Sequence, residues 1–240
     1  MSLLVYFWVR RFRKPFAVEV VSDPAEIMRT IDHPLRALWG VLFRSALRRE
    51  CQSAVAVSYV TRAVLQRAYP PGAGTEAFVV NDVRLGDEQY TPPRQHTVVP
   101  RPLQLLHVGN MNQIYKGHAE LLRALVALTR AGLDCQLTLV GDGTNRLRFE
   151  ELATHLGLGD RARFRGNVAW GAPLFRLMDE AHLFVFPSYT EGSPKALIEA
   201  MARGLPAVAT RVGGIPELLA DEDLVRPRDV QALVAKISEV

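Results

Sequence analysis

The hydrophobic positions after residue 100 alternate between short apolar runs and stretches with a helical period. The run Leu-Gln-Leu-Leu-His-Val is typical of a buried strand, and the stretch that follows ends at Gly132, as helices often do. This alternation predicts strands at 103–108, 135–140, 162–164, 183–187 and 207–210, and helices at 118–132, 145–156, 174–180, 194–203 and 231–240. Strands that alternate with helices indicate a doubly wound α/β domain with a parallel sheet.

The first hundred residues show a looser version of the same pattern. It predicts strands at 17–21, 54–58 and 77–80, and helices at 35–49 and 61–69. Residues 91–102 contain four prolines and no apolar period, so they are predicted to link two domains. We therefore predict a partial α/β domain at 1–90, a linker at 91–102 and a second α/β domain at 103–240.

The composition is that of an ordinary globular protein, with 48% hydrophobic and 22% charged residues. This excludes a disordered, collagen-like or coiled-coil chain. Cys51 and Cys135 are far apart among apolar neighbours, so we interpret them as buried thiols in a reducing compartment. The apolar run at 3–9 is shorter than the ~18 to 20 residues that span a bilayer, and the predicted location is cytoplasmic.

The excess positive charge lies in the first part of the chain. The formal net charge is +4; residues 1–100 carry 13 basic and 9 acidic side chains, and the rest carry 16 of each. The densest basic cluster is Arg10, Arg11, Arg13 and Lys14, next to the apolar run. The favoured interpretation is a terminal element with a solvated basic end, and the alternative is peripheral contact with an anionic membrane surface at its inner face. Nucleic acid is disfavoured, since no basic stripe is interleaved with aromatic residues.

A helix start follows the predicted strand at 183–187. Ser193 is a good N-cap residue and Pro194 a good first helical residue, while Gly204 and Pro206 would end the helix. A helix that begins just after a parallel strand directs backbone N–H groups and its positive dipole end into the crevice at the strand ends. Such a helix start favours a phosphate group.

Two carboxylates are placed around this helix start in an E-x7-E spacing. Glu191 precedes the helix and Glu199 lies about a turn and a half into it. Carboxylates accept hydrogen bonds from sugar hydroxyls, so the two residues would bind two different sugar rings. The spacing alone is explained equally well if both glutamates are ordinary acidic residues that the helix dipole favours near a helix start.

The whole segment 188–206 resembles the donor-binding signature of family 4 glycosyltransferases, which are retaining enzymes with the two-domain GT-B fold. The resemblance implies that Glu191 contacts the transferred sugar as a catalytic residue, and that Glu199 binds the ribose hydroxyls of the nucleotide. It also implies that the sugar and diphosphate are bordered by Gly192, Ser193, Lys195 and Ala196.

A second match is the segment 108–118, after the first strand of the predicted donor domain. It resembles the family's loop in which an arginine and a lysine neutralise the leaving diphosphate. Lys116 matches the lysine and is the second catalytic candidate, whereas Asn110 stands where arginine is usual; Gly109 begins the loop. An amide donates a hydrogen bond but brings no charge, so Lys116 would carry more of the stabilisation.

Three further loops resemble parts of the same family. Val168 closes the turn at 165–168, which resembles the turn that holds the nucleobase through backbone contacts. The turn at 141–146 lacks the third glycine of a dinucleotide-binding motif, with Arg146 in its place, and resembles the family's G-D-G turn. Glu217 ends a glycine-rich loop, and a helix cap is at least as good an interpretation of it as ligand contact.

The sequence predicts no metal site and no cofactor. The six histidines show no metal-ligand spacing, and His107 and His182 border predicted strands as packing residues. No Asp-x-Asp or His/carboxylate cluster is present in the donor segments. The co-substrate implied by the resemblance is a nucleotide-diphosphate sugar, and the acceptor is a glycan or a lipid-linked glycan.

The predicted function is a retaining glycosyltransferase of surface polysaccharide biosynthesis. The resemblance also indicates that the first half of the acceptor domain and the carboxyl-terminal helices of the family have no counterpart in the 240 residues. The alternative is therefore a truncated, catalytically incomplete nucleotide-sugar-binding protein. A GT-B-fold sugar-nucleotide epimerase is less favoured, because the E-x7-E segment and Lys116-Gly117 match the transferase signature.

Overall fold

The computed structural model describes residues 11, 12, 14–81, 83–94 and 101–239. It divides into two compact units. The first comprises Met1–Asp82, Thr190–Ser193 and Gly213–Glu217, and the second comprises Val83–Tyr189, Pro194–Val212 and Leu218–Val240. Of the predicted basic amino-terminal cluster, Arg10 and Arg13 lie outside the described residues, as does the apolar run at 3–9.

The second unit is built on a six-stranded sheet in which every pair of neighbouring strands is parallel. The strands are β4 (Leu103–Val108), β5 (Cys135–Val140), β6 (Ala162–Phe164), β7 (Leu183–Phe186), β8 (Ala207–Thr210) and β9 (Leu224–Val225). Their spatial order is β6-β5-β4-β7-β8-β9, so the chain reverses direction across the sheet between β4 and β7. This confirms the predicted doubly wound α/β class. Open sheets of this kind bind ligands at the carboxyl ends of the strands that flank the reversal.

The predicted helices of this unit are present with slightly different ends. In chain order they are α4 (His118–Arg130), α5 (Arg146–His155), α6 (Ala172–Glu180), α7 (Lys195–Ala202) and α8 (Val230–Ser238). The core lies where they cover the sheet: α4 buries Leu121, Leu122, Leu125 and Leu128. All four residues of β7 are buried, as expected of a central parallel strand that is covered on both faces. Cys135 is a free buried thiol in this core, as predicted.

The first unit contains a parallel three-stranded sheet in the order β1-β2-β3, formed by β1 (Ala17–Val20), β2 (Ala56–Tyr59) and β3 (Glu76–Val79). Its helices are α1 (Pro24–Thr30), α2 (Arg36–Ser53) and α3 (Val64–Ala68). A small core joins Val20, Val57, Tyr59 and Tyr69 to the buried thiol of Cys51. Helix α1 is absent from the sequence prediction, although Asp23 caps it by accepting a hydrogen bond from the Ala25 N–H at 2.8 Å.

Residues 91–94 of the predicted linker lie against the second unit. The Thr91 N–H donates to the Ala202 carbonyl at 2.8 Å, and the Arg94 N–H donates to the Gly204 carbonyl at 3.1 Å. The Arg94 guanidinium also donates to the Asp179 and Ala181 carbonyls at 2.9 and 3.0 Å. This part of the segment is therefore fixed to α7 and to the end of α6, and the second unit begins at Val83 instead of at residue 103.

Among the residues that the structure describes, no helix is both long and apolar enough to cross a membrane.

Candidate functional site

The loop that follows β4 lies at the reversal point of the sheet, where a ligand site is expected. The Gly109 N–H donates to the Val140 carbonyl at 2.9 Å, which ties the start of the loop to the end of β5. Gly117 closes the loop with φ of 76°, and a Cβ built on it would lie 2.2 Å from the Pro187 carbonyl oxygen. Only glycine fits both the backbone conformation and this close approach. The loop after β4 therefore packs directly on the end of β7.

Lys116 is the last residue of a 3-10 turn, Ile114–Lys116, just before this glycine. Its Nζ lies 5.5 Å from the centre of the Phe186 ring and 5.4 Å from that of Tyr115, both within the range of cation–π attraction. The two rings hold the ammonium group beside the carboxyl end of β7. The structure thus brings Lys116 to the predicted crevice, while Asn110 lies exposed in the same loop and Gly109 is half-buried.

The turn after β5 packs on the loop after β4 through its glycines. A Cβ on Gly141 would lie 2.1 Å from the Gly109 carbonyl oxygen, and one on Gly143 would lie 2.3 Å from the Asn112 nitrogen. The Asn145 side-chain amide donates to the Asn112 carbonyl at 2.9 Å. The glycines of the G-D-G turn are thus required by loop packing, and no dinucleotide-binding motif is needed to explain them.

The predicted N-cap at Ser193 is wrong by one residue. Helix α7 begins at Lys195, and Pro194 is its N-cap with ψ of 96°, an extended conformation, and without a side-chain cap. The Pro194 carbonyl accepts from the Leu197 and Ile198 N–H groups at 3.1 Å, so the first helical hydrogen bonds start there. Ser193 groups with the first unit instead. The first turn of α7 is thus formed by Lys195, which is exposed, and Ala196, which is half-buried.

Glu199 is the fifth residue of α7 and is 7% exposed. Its Oε1 accepts a hydrogen bond from Trp170 Nε1 at 2.9 Å. Burial raises the pKa of Glu199, while the Trp170 hydrogen bond and the Lys195 charge act in the opposite direction. A buried carboxylate with one indole partner is costly unless it has a further partner, which is more typical of a binding residue than of an ordinary surface acid.

The turn that carries Val168 follows β6. Gly166 has φ of 66°, and its carbonyl accepts from the Gly141 N–H at 2.8 Å, which ties this turn to the end of β5. Val168 is half-buried and exposed Trp170 follows it two residues later. Sequence reasoning did not identify Trp170, because no pattern links it to a glutamate 29 positions away.

Glu191, Gly192 and Ser193 belong to the first unit, so the structure groups them apart from Lys116 and Glu199. A Cβ on Gly192 would lie 1.7 Å from the Val21 carbonyl oxygen, and one on Gly213 would lie 1.6 Å from the Glu191 carbonyl oxygen. The Gly214 N–H donates to the Gly192 carbonyl at 3.0 Å. Glycines are therefore necessary where these loops meet, and the Glu191 side chain is half-buried beside them.

Glu217 is a helix cap. Its Oε1 accepts from the Ala63 and Val64 N–H groups at 2.9 and 2.7 Å, and its Oε2 accepts from the Arg62 N–H at 2.6 Å. These N–H groups lie at the start of α3, which has no cap from its own N-cap residue, Ala63. Of the two interpretations of Glu217, the structure supports the cap.

Two histidines lie directly beneath the loop after β4. His107 and His118 are buried with their ring centres 4.7 Å apart, and His107 Nδ1 lies 2.9 Å from the Val185 carbonyl oxygen. Burial lowers the pKa of His118 to about 4 and holds the pKa of His107 well below its usual range. Both rings are therefore neutral near pH 7, which agrees with the predicted packing role of His107. His118 packs on the Phe149 ring, with centres 4.8 Å apart.

A cavity of about 470 Å³ lies between α4 and α5 of the second unit and reaches the 3-10 turn of Ile114–Lys116. It is lined by Ile114, Glu120, Arg148, Phe149 and Tyr189, among others, and it contains none of the predicted site residues. Within the described ranges, no group of three His, Cys, Asp or Glu side chains is arranged to hold a metal ion.

Residues 102–240, the part of the chain that forms the sheet and these loops, match the family model described as glycosyl transferases group 1. The chain belongs to this family. Its membership confirms the resemblance to a glycosyltransferase, while family 4 and the roles of Lys116 and Glu199 remain predictions.

Individual relatives agree with this assignment. Protein CapJ of Staphylococcus aureus is 24% identical over 229 residues, which are 95% of this chain and 57% of CapJ. The amylovoran biosynthesis glycosyltransferase AmsK of Erwinia amylovora is 31% identical over 172 residues, which are 68% of this chain and 42% of AmsK. The chain thus spans about half the length of these two relatives.

A solved structure shows the fold class. HepE of Anabaena, crystallised in complex with UDP-glucose, matches 99% of this chain and 65% of its own length with a TM-score of 0.72 and 23% identity. At this identity the likeness speaks for the fold alone. The predicted GT-B class is confirmed.

Proposed function

We propose that this chain forms the nucleotide-sugar-binding part of a retaining glycosyltransferase of family 4 in surface polysaccharide biosynthesis. The observation that carries the proposal is the buried Glu199, placed in the helix that follows β7 at the reversal point of the sheet. A carboxylate at this depth would accept hydrogen bonds from the ribose hydroxyls of a nucleotide. AmsK, a glycosyltransferase of amylovoran biosynthesis, and HepE, crystallised with UDP-glucose, support this class of reaction and of donor.

Lys116 is the proposed partner of the diphosphate. Negative charge grows on the leaving diphosphate as the glycosidic bond breaks, so a cation fixed in advance stabilises the transition state more than the ground state. The rings of Tyr115 and Phe186 fix the Lys116 ammonium group, and Gly117 fixes the backbone that carries it. The backbone N–H groups at the start of α7 would add to this positive potential.

No protein nucleophile is required in the proposed reaction. The acceptor hydroxyl attacks the sugar on the face from which the nucleotide departs, and the departing diphosphate takes the hydroxyl proton. The protein positions the two substrates and stabilises charge. Glu191, half-buried beside Gly213, is proposed to contact the transferred sugar. The acceptor is proposed to be a glycan or a lipid-linked glycan.

Calorimetric titration with UDP, GDP and ADP tests the donor part of the proposal. Binding of at least one nucleotide is expected, and Glu199→Ala should weaken it by about 1.5 to 3 kcal/mol, the range for a hydrogen bond with a charged partner. Glu151→Ala is the matched control, because Glu151 is an exposed helical glutamate of the same unit. Equal affinities for Glu199→Ala and wild type in folded protein would rule out the ribose contact.

Transfer is tested separately from binding. Radiolabelled sugar from the nucleotide-sugar donor that binds best should appear in a lipid-extractable or polysaccharide fraction when membranes of the source cell supply the acceptor. Nucleotide binding with no transfer at any protein concentration would instead support the alternative of a nucleotide-sugar-binding protein without catalysis.

A further inference from the structure

Trp170 makes an unusual contact for an exposed aromatic side chain. It is 58% exposed, yet its Nε1 donates a hydrogen bond at 2.9 Å to the carboxylate of Glu199, which is 7% exposed. The indole therefore reaches from the surface to a buried charge. A single exposed aromatic residue is common on protein surfaces, so the informative feature is the bond to the buried carboxylate and not the exposure itself.

The position of the indole is fixed from its second side by Phe175. The two ring centres are 5.7 Å apart at 72°, the edge-to-face arrangement that aromatic pairs favour. Phe175 lies on α6, and Gly171 precedes that helix with φ of 97°. The left-handed conformation of Gly171 turns the chain between Trp170 and the helix. Trp170 is thus placed by α6 and by its bond to Glu199.

The bond to Trp170 has a direct effect on the chemistry of Glu199. The indole N–H stabilises the ionised carboxylate and fixes its Oε1. A carboxylate has about four acceptor positions on its two oxygens, so the bond leaves Oε2 and a second position on Oε1 for other donors. In the described part of the chain, Lys195 is the charged group that acts on Glu199.

We infer that Trp170 is a positioning residue for the nucleotide: its indole N–H holds the Glu199 carboxylate ionised and oriented so that the remaining acceptor positions receive the ribose hydroxyls. The inference rests on the proposed ribose contact of Glu199. It adds a residue from outside the E-x7-E segment, and it gives the loop between β6 and α6 a part in donor affinity.

The test compares Trp170→Phe with wild type, using UDP as the ligand. The substitution keeps an aromatic ring beside Phe175 but removes the N–H donor. UDP affinity at pH 7 should fall by about tenfold, the lower end of the range for a bond to a charged group. Trp39→Phe is the matched control, since Trp39 is also exposed but lies on α2 of the first unit. It should bind UDP as wild type does.

A double-mutant cycle separates positioning from general damage to the fold. In a Glu199→Ala background, Trp170→Phe should change UDP affinity by less than about twofold, because no side-chain oxygen remains at position 199 to accept the indole N–H. Loss of the bond also raises the pKa of Glu199. As the pH is lowered, UDP binding by Trp170→Phe should therefore begin to weaken at a higher pH than in wild type. Variants that carry Glu199→Gln should not show this difference, because they have no carboxyl group to protonate at position 199.

The possible results distinguish a failure of the ribose contact of Glu199 from a failure of the positioning role of Trp170. The inference is overturned if Trp170→Phe binds UDP as well as or better than wild type, or loses as much affinity in the Glu199→Ala background as in wild type. If Glu199→Gln itself leaves UDP, GDP and ADP affinities unchanged, the ribose contact fails and the inference fails with it. A loss in Glu199→Gln alone would preserve the ribose contact and reject the role of Trp170.

Discussion

Replacing Glu199 by glutamine should separate binding from stability. The glutamine amide oxygen still accepts the Trp170 N–H, and the side chain keeps its volume in a site that is 7% exposed. What is lost is the negative charge. Because the hydrogen bond and the packing are kept, the free energy of unfolding at pH 4 should differ from wild type by no more than about 1 kcal/mol. Nucleotide affinity should fall by about 1.5 to 3 kcal/mol, because the neutral amide accepts more weakly and offers one acceptor oxygen instead of two.

The raised pKa of Glu199 predicts how the stability difference between Glu199→Gln and wild type changes with pH. Burial raises the pKa of Glu199 in the folded protein above its value in the unfolded chain. A carboxyl group with a raised folded pKa contributes stability that is fully present below the unfolded pKa and is lost as the pH rises through the folded pKa. Glu199→Gln has no such loss. The stability of Glu199→Gln relative to wild type should thus increase from pH 4 to pH 7.

Two measurements check the reasoning on the same samples. Urea unfolding at pH 4 and pH 7 gives the stability difference, and calorimetry with the nucleotide that binds wild type gives the affinity difference at pH 7. Glu151→Gln, an exposed glutamate on α5, is the control for both. A stability difference that stays constant with pH, or that moves the other way, would refute the assignment of a raised pKa. Unchanged affinity would refute the ribose contact.

Three substitutions probe the loop after β4, and a chelator tests for a metal requirement. Lys116→Ala should lower the turnover number of an active enzyme about a hundred- to a thousandfold, which corresponds to roughly 3 to 4 kcal/mol in the activation barrier. Asn110→Arg should preserve or raise the activity. If Lys116→Ala raises the Michaelis constant and leaves the turnover number unchanged, the lysine is a binding contact only. Gly117→Ala should destabilise the protein by more than the about 1 to 2 kcal/mol of its left-handed backbone, because the new Cβ meets the Pro187 carbonyl. Gly132→Ala is the matched control, with φ of 87° and open space around the Cβ, and equal thermal shifts for the two would contradict the close approach. A chelator should leave nucleotide binding intact, and restoration of lost binding by magnesium or manganese would reveal a metal requirement.

The sheet of the second unit could be predicted from sequence because its strands are buried on both faces. The four apolar residues of β7 and the apolar positions of β5 leave no competing assignment, and the predicted bounds of β5 agree with the structure. Two short elements, α1 and β9, were not predicted. Helix α1 has seven residues, too few to show a period, and β9 has two. The core of the fold was thus predictable, and its short marginal elements were not.

The start of α7 shows where a local rule gives way to tertiary contacts. Ser193 followed by proline is a good start signal on its own, yet Ser193 groups with the first unit and Pro194 adopts an extended conformation. The bond between Trp170 and Glu199 and the cap that Glu217 provides for α3 connect residues far apart in the chain. Neither contact leaves a pattern in the sequence, because each depends on how distant loops fold.

The first unit is discontinuous in sequence, and this affects how the protein can be divided or recombined. Residues 213–217 supply the cap of α3, and residues 190–193 lie on the Val21 carbonyl, although both segments are encoded within the stretch that builds the six-stranded sheet. A chimera made by a single crossover at residue 82 would import both segments from a foreign parent and leave α3 with an unmatched cap. Recombination among relatives should therefore yield folded hybrids more often when 190–193 and 213–217 are inherited together with residues 14–81.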